Sequence, residues 1–216
     1  MRVEFKRGVF TAILFSSVLA MPIRTALALS LPDKPDSTKQ AALHDAMRKL
    51  WEDHITWTRV FIISAAADLP DKATATDRLL QNQVDIGNAI KPYYGEAAGN
   101  KLTTLLKEHI TTAAEVVAAA KANDKAKLDD ANKRWFANAD QIADFLSSAN
   151  PKNWPQAEMR SMMHDHLNLT TKEVVARLHS DWVNDVNAYD AVNDQILKMA
   201  DMLAMGIVKQ FPDKFA

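Results

Sequence analysis

The chain has 216 residues, 48% of them hydrophobic and 25% charged, with a formal net charge of −1 and no cysteine. That length suits a domain with a real core, the apolar fraction excludes a disordered chain, and the near-neutral charge speaks against nucleic-acid binding. Lack of cysteine excludes disulfides, thiolate metal sites, covalently attached haem and a cysteine nucleophile, while only 5 glycines argue against phosphate-cradling loops and turn-rich β folds.

The first stretch reads as an export signal. Arg2, Lys6 and Arg7 precede an uncharged apolar run from Gly8 to Met21, which Pro22 ends, and Ala26-Leu27-Ala28 supplies small residues for cleavage after Ala28. The run is too short for the ~30 Å hydrocarbon layer, which needs about 20 residues. The segment carries four basic residues and one acidic, so its removal takes the net charge from −1 to −4. Residues 1–28 are thus expected to be a signal peptide and 29–216 a single helical-bundle domain, periplasmic or secreted, with no later membrane span.

Ser37 and Gln40 make a capping-box pattern that opens an amphipathic helix through Ala67. Leu69-Pro70-Asp71 ends it, and a second helix runs to about Lys91. Pro92-Tyr93-Tyr94-Gly95 reads as a turn, followed by helices over about 96–122 and 124–148. The Pro-rich break 150–155 is the clearest interruption and the one candidate subdivision. After it the sequence predicts a short helix over about 156–167, then a long one capped by Thr170 and Glu173 and continuing to about Gln210. No period-2 strand pattern and no internal repeat is evident. Short connections make the expected fold all-α: an up-and-down antiparallel bundle of four to five helices.

Helical periodicity turns polar residues inward. His54 falls in the stripe of Leu43, Met47, Leu50, Trp57 and Phe61, and His109 in that of Leu102, Leu106, Ala113 and Val116. Gln83 lies among Leu80, Val84, Gly87 and Ile90. In the last helix Val175, Trp182, Val186 and Tyr189 form the stripe, with His179 near its edge and Asn193 near its centre. Either each is a core polar group bonded to a neighbouring helix, or they converge on one cavity that holds a metal ion or small ligand.

Specific metal motifs fail: there is no Glu-x-x-His and no HExxH. His164 and His166, two apart, diverge on a helix and suggest a solvated helix end. Met159, Met162 and Met163 precede that pair and offer thioethers suited to Cu(I), although methionine also fills core gaps. No nucleophile elbow or P-loop occurs. The Trp51–Arg59 segment, with Asp53, His54 and Trp57, is the densest mixture of aromatic and ionisable groups.

The segments LWEDHITWTR (Leu50–Arg59), NQVDIGNAIKPYYGEAAGNKLTTLLKEHI (Asn82–Ile110), WFANADQIADFLSSANPKNWP (Trp135–Pro155) and the terminal GIVKQFPDKF resemble a family of small exported bacterial all-helical proteins without an assigned activity. The glycosyltransferase and acetylglutamate kinase labels sometimes attached to such sequences would need an α/β nucleotide-binding domain, which nothing here builds. The resemblance supplies no catalytic residue, but His54 and His109 both lie within the resembling blocks. The expected function is an exported binding protein that holds a divalent transition metal, Cu(I) or a small ligand through His54, His109 and His179. Gln83, Asn193, Trp57 and Asp53 would assist. The alternatives are a non-catalytic envelope scaffold or interaction module and an envelope enzyme built on Trp51–Arg59; self-association is left open.

Overall fold

The computed structural model describes residues 37–216; the expected signal peptide lies outside the described residues. Helices α1 (Ser37–Ala66), α2 (Lys72–Lys121), α3 (Lys125–Ala149), α4 (Gln156–Leu178) and α5 (Trp182–Gln210) are followed by a 3-10 turn, Pro212–Phe215. No strand occurs among the described residues, so the all-α bundle stands. Helix α2 is two arms joined at Gly95, whose φ of 84° and ψ of 169° break the helical path just after Pro92.

One boundary departs from expectation. Residues 156–178 form one helix, and the break lies at 179–181 rather than near 168. Thr170 caps nothing: its hydroxyl donates to the His166 carbonyl one turn back, inside α4. The actual stop is Ser180, which takes the left-handed conformation (φ 59°), with Asp181 as the cap that accepts the Asn184 N–H.

That stop is one of three alike. Asp68, Asn123 and Ser180 all have φ between 53° and 59°. After each, the next N–H reaches five residues back, Leu69 to Ser64, Asp124 to Ala119 and Asp181 to Ala176, at 2.9–3.0 Å. The equivalent positions lie 55 and then 57 residues apart. The chain is therefore three helical hairpins: α1 with the first arm of α2, the second arm with α3, and α4 with α5. This corrects the expectation of no internal repeat. The signal lies in three short triplets, Asp53-His54-Ile55, Glu108-His109-Ile110 and Asp165-His166-Leu167, at that same spacing.

The hairpins close into a ring, with α5 packed back on α1. At two of the seams an arginine six residues before the hairpin's histidine pairs with an aspartate of the preceding hairpin: Arg160 with Asp144 and Arg48 with Asp201, each at 2.6 Å. At the third seam the arginine's place is taken by Thr103. A Cβ on Gly87 would lie 1.9 Å from the Thr103 hydroxyl, so the two arms of α2 approach where no side chain fits. Inside, equivalent residues stack in layers: Met47, Leu102 and Met159; Trp51, Leu106 and Met163; Ile55, Ile110 and Leu167; Ile62, Val117 and Val174, all buried. The Pro-rich break 150–155 packs onto this body through Trp154, which is buried against Gly206.

Candidate functional site

Between the Trp51 layer and the Ile55 layer sit His54, His109 and His166, each 3–4% exposed. They occupy one position in the three hairpins, on the three helices that run in the same direction. The ring centroids of His54 and His166 are 5.7 Å apart. Burial holds all three neutral: His109 falls to about 3 and His166 to about 4 from the ordinary 6.5. His54 is driven well below 6.5, first by burial and then by the neighbouring imidazoles of His166 and His109.

Each ring is oriented by an amide 29 residues later, on the returning helix of its own hairpin. Asn138 donates to the Leu105 carbonyl at 3.2 Å, so its oxygen faces Nδ1 of His109 at 2.9 Å. Gln195 donates to the Met162 carbonyl at 2.9 Å, and its oxygen faces Nδ1 of His166 at 3.2 Å. In both rings Nδ1 therefore carries the proton, and Nε2 keeps its lone pair. The first hairpin differs. Asn82 takes the corresponding carbonyl, that of Leu50, at 3.0 Å, but Gln83 stands between it and the ring. The Gln83 amide nitrogen bonds the Leu79 carbonyl and Asn82 and lies 3.3 Å from Nδ1 of His54. A proton on that Nδ1 would point at an amide nitrogen, which has no lone pair to accept it, so the proton of His54 is on Nε2. The centre thus combines two bare imidazole nitrogens with one N–H.

Two indoles border it: Trp51 meets His54 edge-on at 5.7 Å, and Trp135 lies against His109 at 5.4 Å. Both indole N–H groups and the Gln83 carbonyl oxygen are buried without a partner. Such unpaired groups are uncommon in a well-packed interior. Among the described residues no group of three or more His, Asp or Glu is arranged to hold a metal ion, so the rings are neighbours without converging on one point.

The structure places the other expected residues elsewhere. His179 is exposed, its Nδ1 2.9 Å from the Val175 carbonyl, because α4 ends there. Asn193 is half-buried, and its amide makes no hydrogen bond among those of the described residues; Gln195, two residues on, does the expected work. Asp53 bonds Lys49 at 2.5 Å on the outer face, and Trp57 lies under Arg78, whose guanidinium is 5.2 Å from the indole ring. His164 faces Asp140 at 2.9 Å, half-exposed, while its neighbour His166 is the buried one, the reverse of a solvated helix end. Met162 lies on a surface groove, whereas Met159 and Met163 fill core layers.

Sequence reasoning also missed a buried ion cluster. Glu173 and Asp185, each 2% exposed at the side chain, share Arg59, and Arg177 joins Asp185 at 3.1 Å. Burial pushes the Glu173 carboxyl up to about 7 despite Arg59. Here the third hairpin is inverted relative to the others. Glu173 occupies the position of Phe61 and Val116, whereas Val175, Trp182 and Val186, expected inside, are exposed, as is Val183. The periodicity missed this because charge and apolar residues had exchanged sides. No helix among the described residues is long and apolar enough to cross a membrane. No protein family matches the chain, and no curated protein or solved structure is significantly similar to it.

Proposed function

We propose that the chain is a binding protein, exported to the periplasm or beyond, that takes up one soft transition-metal ion at the His54–His109–His166 centre. The observation that carries this reading is the equivalence of the three histidines: three neutral imidazoles at one level, two with bare Nε2 atoms and amide-held Nδ1 atoms. Two imidazoles sharing an ion at an N–metal distance of ~2.0–2.1 Å have ring centres roughly 5–6 Å apart, and the 5.7 Å between His54 and His166 falls in that range. The Met163 thioether belongs to the adjoining layer. No carboxylate joins the rings, and burying uncompensated charge grows steeply more costly with its magnitude, which favours Cu(I) over a divalent ion. Uptake requires the rings to turn within their layer and the proton of His54 to pass from Nε2 to Nδ1, where the unpartnered Gln83 carbonyl oxygen can turn to accept it.

Competitive titration of the purified protein with Cu(I) and Zn(II) tests the proposal. We expect one Cu(I) per chain, a raised melting temperature on loading, and loss of both effects in His109→Phe and His166→Phe. Absence of stoichiometric uptake of either ion would overturn it. The exposed strip of Val175, Trp182, Val183 and Val186 favours a second reading, an interaction module in which the histidines are purely structural. Concentration-dependent assembly lost in Trp182→Ser, without metal uptake, would establish that reading instead.

A further inference from the structure

One helical turn beyond the histidines the core divides into two apolar clusters, and a cavity of about 90 Å³ lies at their seam. Its wall draws on α1, the second arm of α2, α3 and α4, through Ile62, Val116, Val117, Trp135 and Val174 among others. The residues four after each histidine, Thr58, Ala113 and Thr170, all line it. No charged side chain does. The three threonines of the wall donate their hydroxyls to carbonyls of their own helices: Thr58 to His54, Thr170 to His166 and Thr171 to Leu167, at 2.8–2.9 Å. They offer a guest no free hydroxyl. Trp135 is the buried wall residue whose polar hydrogen has no partner, and its ring also touches His109.

The threefold repeat shows why this space is empty. In the equivalent crevice between α5 and α1, Arg59 pairs with Asp185 at 2.9 Å and lies 4.8 Å from the centre of the Tyr189 ring. In the crevice between α3 and α4, the same three positions carry Thr171, Leu128 and Asn132, all uncharged, with Thr171 and Asn132 much smaller than the Arg59 and Tyr189 they correspond to. One crevice is filled by its own side chains; the other is left open. Half-buried Asn132 and exposed Val175 both belong to the wall, so the cavity reaches the surface.

We propose that this cavity binds a short, uncharged aliphatic unit. A cavity of ~150 Å³ admits benzene, so by proportion this one encloses roughly four heavy atoms. The unit is either a free small molecule or the end of a longer hydrocarbon chain. The proposal is independent of metal uptake, because the cavity is one turn away from the histidine rings.

The test is NMR of the protein with xenon, n-butanol and n-octanol, read at the Trp135 indole N–H. Saturable shifts with xenon and butanol support the proposal. Equal affinity for the two alcohols identifies a free small guest, and tighter octanol binding the tip of a longer chain. Ala113→Leu fills the cavity and should abolish saturation while leaving the Cu(I) titration unchanged; Ala120→Leu provides a second filled variant should the first fold poorly. Shifts that stay linear, or that persist in a folded, filled variant, overturn it. Loss of metal uptake with retained xenon binding would count against the histidine reading alone.

Discussion

The histidine layer and the crevice end around Arg59 are built from the same three hairpins, yet they obey different rules. At the histidine layer the hairpins agree: His54, His109 and His166 each face an amide of the returning helix, and the one variation is Gln83 set in front of Asn82. At the other end they diverge. Glu173 replaces Phe61 and Val116, Asp185 replaces Leu128, and apolar side chains move to the outside. Repetition thus sets the scaffold and its polar centre, and departures from repetition mark where the third hairpin has become specialised.

Acid should separate the two regions most strongly. The folded histidines titrate below the ordinary value of about 6.5, so their stabilisation is complete above that value and is lost as pH falls toward about 4 and about 3. Glu173 has the opposite sign: raised to about 7, it favours the folded state progressively as pH falls through the same window. Three histidine protons set against one carboxyl proton leave a net loss of stability as pH falls below about 6.5, with a ceiling of about 2.7 kcal/mol per pH unit for two net protons. Urea denaturation across that range measures the slope, and Glu173→Gln should make it steeper.

Arg59→Met isolates the other region. It leaves Glu173 and Asp185 buried with Arg177 alone, and we expect a loss of about 3–5 kcal/mol at pH 8 by urea denaturation. Asn138→Leu strips His109 and the Leu105 carbonyl of their shared partner and should cost about 1–3 kcal/mol. Asn193→Ala, by contrast, should stay within about 0.5 kcal/mol, because that amide makes no hydrogen bond in the bundle. The smallest expected effect is a gain: Ser180→Gly relieves a left-handed residue and should add up to about 1 kcal/mol, visible as a small rise in melting temperature.

Much of this was legible in the sequence. Periodicity places His54, His109 and Gln83 inward, and Gly, Pro and Asn mark the earlier turns. The α4–α5 turn was hidden because Ser180 adopts a conformation that the sequence advertises only when Gly or Asn stands there. Thr170 and Glu173 imitated a cap, although one bonds back along its own helix and the other answers Arg59 across the bundle. His166 was obscured by His164 beside it, and only the threefold spacing of acid, histidine and aliphatic residue distinguishes the two. Where Trp182, Val183 and Val186 lie outside, helical periodicity still finds a stripe but cannot tell which side of it the protein covers.

The ring closure has a kinetic consequence. Every seam but one joins helices adjacent along the chain, which favours rapid, local assembly. The seam between α5 and α1, fastened by Arg48 and Asp201, joins the two ends of the bundle. It should therefore form last and part first. Amide protons along that line are expected to exchange with solvent ahead of those between α2 and α3, making it the gate through which the interior is renewed.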